Sequence, residues 1–187
     1  MTKGLLLVVS GPSGVGKGTV LRKLHSESDN MYYSISATTR QPRFDELDGV
    51  HYLFITKEEF QNKIEKGQML EYAEYCGNYY GTPGDIVEQK RNEGVDVLLE
   101  IESCGAMQVM SKCSDAISIF IMPPSMEELR SRLLNRGTES EEVVNRRLEK
   151  AEEEIKKADQ YQYIVVNDDI ETAKNKICEI INQHKNI

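Results

Sequence analysis

The stretch "SGPSGVGKGT", Ser10 to Thr19, decides how the rest of the chain is read. It places Gly11, Gly16 and Lys17 at the spacing G-x-x-x-x-G-K, in which a strand feeds a glycine-rich turn and then a helix whose first N–H groups point at one polyphosphate. The preceding run "GLLLVVS" reads as a buried strand and the residues from Lys17 onward as a helix. Lys17 adds a mobile positive charge. Strand, spacing, lysine and helix agree, so Gly11, Pro12, Ser13, Gly14, Val15, Gly16, Lys17, Gly18 and Thr19 are assigned to nucleotide phosphates. Gly18 is the departure: it stands where the pattern has a Ser or Thr hydroxyl that reaches Mg²⁺.

Composition narrows the partners. The 187 residues suit one domain, or one core with insertions. With 23 Lys+Arg against 31 Asp+Glu, the formal charge of -8 disfavours a nucleic-acid binder, which needs a basic face. Small anionic ligands remain compatible through local basic pockets. Cys76, Cys104, Cys113 and Cys178 form no C-x-x-C pair and read as buried or idle thiols. With no signal-like or membrane-length apolar run, the expected setting is the reducing cytoplasm, with no membrane. His25, His51 and His184 have no ligand spacing, so no protein-held metal is expected.

Four apolar runs, "GLLLVVS", "VDVLLEI", "AISIFIM" and "YIVVN", each lead into a helical pattern. That alternation implies an α/β fold, a parallel sheet flanked by helices on both faces. Two segments interrupt it. Residues 35–82 are Tyr-rich and read as a small mixed or antiparallel β subdomain; residues 125–160 are helical and highly charged. The core is then 1–34, 83–124 and 161–187. In the charged segment Thr138 and Glu141 fit a capping box, and Val144, Leu148, Ala151 and Ile155 form an apolar stripe.

The β insertion carries two further constellations. Arg40 and Arg43 flank Pro42, and the extended backbone favoured before proline can aim both guanidinium groups into one pocket. With the Tyr52 hydroxyl they would grip a phosphate monoester. Glu71, Tyr80 and Thr82 lie on adjacent predicted strands. A carboxylate beside hydroxyls complements guanine, with donors at N1 and N2, whereas adenine N1 presents a repelling lone pair.

At this point the chain resembles guanylate kinase over essentially its whole length. The carrying stretches are "GPSGVGKGT", "SISATTRQPR", "LEYAEYCGNYYGTP", "PPSMEELRSRLLNRGTE" and "VVNDD". The resemblance implies a P-loop core, a GMP-binding insertion at 35–82 and a mobile lid at 125–160. It implies GMP contacts from Ser36, Arg40, Arg43, Tyr52, Glu71, Tyr80, Thr82 and Glu102, with Asn167 near the ATP adenine. The "GKGT" form is similar to the loops of nucleoside monophosphate kinases, where nucleotide phosphates and water hold most of the Mg²⁺ shell. Two departures stand out: Glu100 and Glu102 replace an Asp-x-Asp of many relatives, and Cys104 replaces a longer polar residue.

The implied reaction phosphorylates GMP, and dGMP, with ATP, as a step of purine nucleotide metabolism that needs no obligate protein partner. A phosphate oxygen is already anionic near neutral pH, so no general base is required; charge neutralisation and positioning carry catalysis. Lys17, Mg²⁺, Arg40, Arg43, Arg132, Arg136 and Arg147 are assigned to that task. Five of the nine arginines fall within 130–147 of an acidic chain, and Arg147 borders the apolar stripe while Arg146 points away. Lid closure would exclude water. Glu152, Glu153 and Glu154 read as plain surface. Another nucleoside monophosphate kinase is the nearest alternative; a non-catalytic guanylate-kinase-like interaction module is the alternative from another class.

Overall fold

The computed structural model describes residues 2–135 and 140–185. In chain order the elements are β1 (Leu6–Ser10), α1 (Lys17–Ser26), β2 (Met31–Tyr33), β3 (Ala37–Thr38), β4 (Leu53–Phe54), α2 (Lys57–Glu65), β5 (Met69–Tyr75) and β6 (Asn78–Pro83). They continue as α3 (Gly84–Asn92), β7 (Asp96–Glu100), α4 (Ser103–Lys112), β8 (Ile117–Met122), α5 (Met126–Leu134), α6 (Glu141–Ile155), β9 (Tyr163–Val166) and α7 (Ile170–Lys185).

The four apolar runs become β1, β7, β8 and β9 of a five-stranded parallel sheet, in the order β2-β7-β1-β8-β9. The pairing of β7 with β1 rises in step: Val97 N–H donates to Leu5 and Ile101 N–H to Val9, which is the parallel register. Leu6, Leu7, Val8 and Val9 are all fully buried, and each contributes about 1.5–3 kcal/mol by leaving water. Two strands differ from the sequence reading. Met31–Tyr33 is too short to announce itself, yet it pairs with β7. Tyr163–Val166 is half exposed, with Ile164 at 50% and Val166 at 39% on one face while Val165 on the other is buried, so only one face of this edge strand is covered.

The second sheet has the order β4-β3-β6-β5 and is mixed: β3 runs parallel to β4, while β3–β6 and β5–β6 are antiparallel. The β5–β6 hairpin turns at Cys76 and Gly77, both at positive φ, as a two-residue turn matching the strand twist requires. Helix α2 is opened by a capping box, Thr56 Oγ1 accepting from Glu59 N–H at 3.1 Å and Glu59 Oε2 from Thr56 N–H at 2.8 Å. It seats Phe60 against Ala37 and Met69, stacked on Tyr79 with ring centroids 5.4 Å apart.

Contacts divide the chain into two units. The first comprises Met1–Leu7, Asn30–Leu99 and Cys104–Ala116; the second comprises Val8–Asp29, Glu100–Ser103 and Ile117–Ile187. In the second, α5 and α6 share a core of Leu129, Leu133, Val144 and Ala151, with Met126 and Leu148 packed against it, so Val144, Leu148 and Ala151 of the expected stripe come together. The expected capping box falls on Thr138, outside the described residues; Ser140, the N-cap of α6, makes no side-chain cap bond. Glu141 and Glu142 instead bring negative charge to the helix start. Of the thiols read as buried or idle, Cys76, at the hairpin turn, and Cys104, in the first turn of α4, are exposed.

Phe60 is the test of the second sheet. Phe60→Ala removes a fully buried ring and is expected to lower unfolding free energy by roughly 3–5 kcal/mol. Urea denaturation measures this; a loss under about 1 kcal/mol would mean that α2 does not anchor the sheet.

Candidate active site

In the second unit, Ser10 ends β1 with its hydroxyl donating to Ile101 carbonyl at 2.8 Å, and the chain turns through the glycine-rich loop into α1. Gly16, at φ 89, occupies the N-cap position and offers no side-chain cap. The helix thus starts with N–H groups free of a side-chain competitor, the arrangement that receives an anion. Lys17 Nζ rests on Gly11 carbonyl at 3.0 Å. The loop is braced from behind: Val15 carbonyl accepts from Asn167 Nδ2 at 2.7 Å and from Arg132 Nη1 at 3.3 Å. Arg132 also donates to Asn167 carbonyl at 3.0 Å and pairs with Glu128 at 2.9 Å. Asn167 is buried, and its Oδ1 has no hydrogen-bond partner among the described residues, so an acceptor is held ready beside the loop. A cavity of about 370 Å³ is lined by Gly14, Gly16, Thr19, Arg132, Asn167, Asp168, Asp169 and Ile170.

Gly18 faces the side chains of Glu100 and Arg22. A Cβ there would lie 3.4 and 3.5 Å from the two Glu100 carboxylate oxygens and 3.1 Å from Arg22 Nη1. A β-carbon would meet the carboxylate at ordinary contact distance and press only on the Arg22 tip. Nearby, Lys150 Nζ approaches Glu102 Oε2 at 3.3 Å and Glu154 Oε1 at 3.9 Å. Glu154 is not plain surface: it is half-buried, and burial pushes its carboxyl above the usual range. The signal was its place three residues beyond Ala151, at the flank of the apolar stripe. Arg147 is half-buried and Arg146 exposed, as the stripe requires. Arg136 lies outside the described residues.

In the first unit, register pairs Glu71 with Thr82 across β5 and β6. Thr82 Oγ1 donates to Glu71 Oε1 at 2.7 Å, and both residues are buried. Gly105 of α4 closes against this pair, since a Cβ there would come within 2.5 Å of Glu71 Oε2. Only glycine permits that approach, a role the sequence reading did not assign. Ser36 is half-buried before β3, its carbonyl accepting from Leu53 N–H at 2.9 Å. Tyr52 and Tyr80 meet edge to face at 6.0 Å, and burial pushes the Tyr52 phenol up, so it stays a donor. Glu102 belongs to the other unit.

Arg40 is gripped by a residue the sequence reading missed. Its Nη1 and Nη2 donate to the two oxygens of Glu46, each at 2.9 Å. Arg43 is exposed, and its backbone N–H donates to the same Glu46 carboxylate at 2.8 Å. The available signal was an acid three residues after Arg43 in a turn rich in arginine.

A phosphate loop on a parallel sheet, beside an uncapped helix start and a buried acceptor, defines a P-loop nucleotide-binding protein. The family description "Guanylate kinase" matches residues 3–184. The guanylate kinase of Lactococcus lactis subsp. lactis (strain IL1403) is 55% identical over 179 residues, covering 96% of this chain and 87% of that protein. The guanylate kinase of Desulfitobacterium hafniense (strain Y51) is 53% identical over 178 residues, 95% of this chain and 89% of that one. The crystal structure of guanylate kinase from Anaplasma phagocytophilum aligns with a TM-score of 0.76 at 38% identity, covering 98% of this chain and 87% of that chain. This chain belongs to the guanylate kinase family.

The Arg40–Glu46 pair sets a pH dependence. The Arg40 guanidinium first, and then Arg43 N–H, hold the Glu46 carboxyl down to about 2 from its ordinary 4.5. The folded value lies below the unfolded one, so the pair's contribution to stability is complete above about pH 4.5 and is lost as pH falls toward 2. Carboxyl NMR titration is expected to place the Glu46 midpoint near 2; a midpoint near 4.5 would show that the pair does not persist in solution.

Proposed function

We propose that this chain transfers the γ-phosphoryl group of ATP to GMP, and to dGMP, giving ADP and GDP or dGDP. The observation that carries the acceptor's identity is the buried Glu71–Thr82 pair. A carboxylate is an acceptor-only group, and guanine is the purine that turns two adjacent donors, N1–H and N2–H, toward one. Adenine would set its N1 lone pair against the same charge and leave a buried acceptor unmatched, which is the stronger form of discrimination.

In this reading residues 1–34, 83–124 and 161–187 form the core, 35–82 the acceptor-binding insertion and 125–160 the lid. The loop Gly11–Thr19 takes the ATP phosphates, and Asn167 Oδ1 accepts from the adenine amino group. Ser36, Tyr52, Tyr80, Thr82 and Glu102 join Glu71 around GMP, with Arg40 and Arg43 on its phosphate. Arg132, Arg136 and Arg147 add positive charge for the transferred group, whose oxygens carry the developing negative charge. The acceptor oxygen is an anion already, so no residue need remove a proton from it.

Mg²⁺ bound to the nucleotide phosphates neutralises charge on the transferred group. The residues fit such an ion: the Glu100 carboxylate oxygens lie 3.4 and 3.5 Å from where a Gly18 Cβ would be, so Glu100 would hold its water shell. Among the described residues no helix is long and apolar enough to cross a membrane. The pool of ATP and GMP assigns the reaction to the cytoplasm.

Glu71→Gln tests the reading. It replaces a charge-assisted acceptor with an amide that both donates and accepts, and GMP kcat/KM should fall about ten- to more than a hundredfold. Rejection of AMP should weaken, while the KM for ATP changes little. Steady-state kinetics with both acceptors measure it; an unchanged GMP/AMP ratio would mean that Glu71 does not read the base.

A further inference from the structure

The guanidinium of Arg40 is held more firmly than a surface arginine. Nη1 and Nη2 fork onto Glu46 at 2.9 Å each, and Nη1 also donates to Gln41 carbonyl at 2.7 Å. The backbone N–H of Arg40 donates to Thr38 Oγ1 at 3.2 Å. The Tyr52 and Phe54 rings lie 5.6 and 5.8 Å from the guanidinium carbon. Glu46 is itself closed into a turn: its N–H donates to Arg43 carbonyl at 3.1 Å while its Oε2 accepts from Arg43 N–H at 2.8 Å. One carboxylate oxygen therefore joins the Arg40 side chain to the main chain that carries Arg43. The Glu46 side chain is 12% exposed and that of Arg40 19%, so water competes weakly for these bonds.

The geometry of the fork matters for a phosphate. Glu46 and Gln41 use three of the five N–H donors of Arg40. The other two, on Nε and Nη2, form the parallel edge that matches two phosphate oxygens; the Tyr80 hydroxyl also bonds this guanidinium. We propose that Glu46 is a positioning residue for the acceptor's phosphate, fixing Arg40 on one edge so that its other edge, together with Arg43, meets the phosphate already aligned. This rests on the reading of Arg40 and Arg43 as the phosphate grip. The ordering of a long side chain is then completed during folding and does not weaken each binding event. The opposite role, a stand-in anion that the phosphate displaces, fits less well: Glu46 would have to give up the Arg43 N–H and both Arg40 bonds together.

The two roles predict opposite signs. Removing a stand-in frees a positive charge and tightens phosphate binding; removing a positioner loosens it. The experiment is calorimetric titration of GMP, guanosine and a non-hydrolysable ATP analogue into the wild type, Glu46→Ala, Glu46→Gln, Arg40→Ala and the Arg40→Ala/Glu46→Ala double variant. Glu46→Ala is expected to weaken GMP binding about tenfold or more while guanosine binding stays within about twofold, since only the phosphate-bearing ligand uses the fork. Glu46→Gln, which keeps one acceptor, should fall between. With Arg40 already removed, losing Glu46 should cost little more, because the two act as one unit. Unchanged or tighter GMP binding in Glu46→Ala would overturn the proposal, as would an equal loss for guanosine. Retained affinity for the ATP analogue shows that a variant is folded; if Glu46→Ala lacks it, Glu46→Gln decides by the same GMP-to-guanosine comparison. A wild type that binds guanosine as tightly as GMP would instead sink the phosphate grip itself.

Discussion

Everything in the nucleotide loop depends on β1 being pinned. Leu6 to Val9 are fully buried and Ser10 is tied by its hydroxyl to Ile101, so the strand cannot slide and the loop leaves it at a fixed point. Without that anchor, left-handed glycines such as Gly14 and Gly16 would make the turn mobile. Asn167 and Arg132 add a second restraint by sharing the Val15 carbonyl. The helix start remains without a side-chain cap, a local loss of stability that an anion at that position would offset.

The acceptor side uses a different device. Its mixed sheet is small, with β3 and β4 of two residues each, and cannot rely on strand length. Register supplies the accuracy: pairing Glu71 with Thr82 sets carboxylate and hydroxyl on one face, and a slip by one residue would turn Glu71 to the other. Phe60 under the sheet and Gly105 against Glu71 hold that face in place. Glu71 and Thr82 are thereby fixed by backbone pairing, while the Arg40 side chain and the Arg43 main chain are joined by one carboxylate in a turn.

What the sequence reveals follows from how each feature is encoded. β1, β7 and β8 are continuous apolar runs, and a parallel strand buried on both faces has no other signature. The loop is legible because its glycines and lysine carry chemistry at fixed spacing. Glu71 and Thr82 are legible as a complementary pair once their strands are placed side by side. Met31–Tyr33 is hidden by its length, and Ser140 takes the N-cap that the Thr138 spacing suggested. Glu46 is hidden for another reason: its partner Arg40 is six residues away in a loop with no periodicity, so only the folded turn shows the fork. Glu154 resembles its neighbours Glu152 and Glu153 in sequence and differs from them in burial.

The central claim is that a phosphate loop and a guanine-reading carboxylate together make an ATP:GMP phosphotransferase. The most direct measurement is kcat/KM for the wild-type protein with saturating ATP and GMP, dGMP, AMP or UMP as acceptor, read by coupled ADP release. The account predicts turnover of GMP and dGMP with AMP and UMP lower by on the order of 10³ or more, since a site built to hydrogen-bond its ligand rejects one that leaves it unmatched. AMP or UMP within about tenfold of GMP would contradict it, because an acceptor site built around Glu71 could not then be choosing guanine.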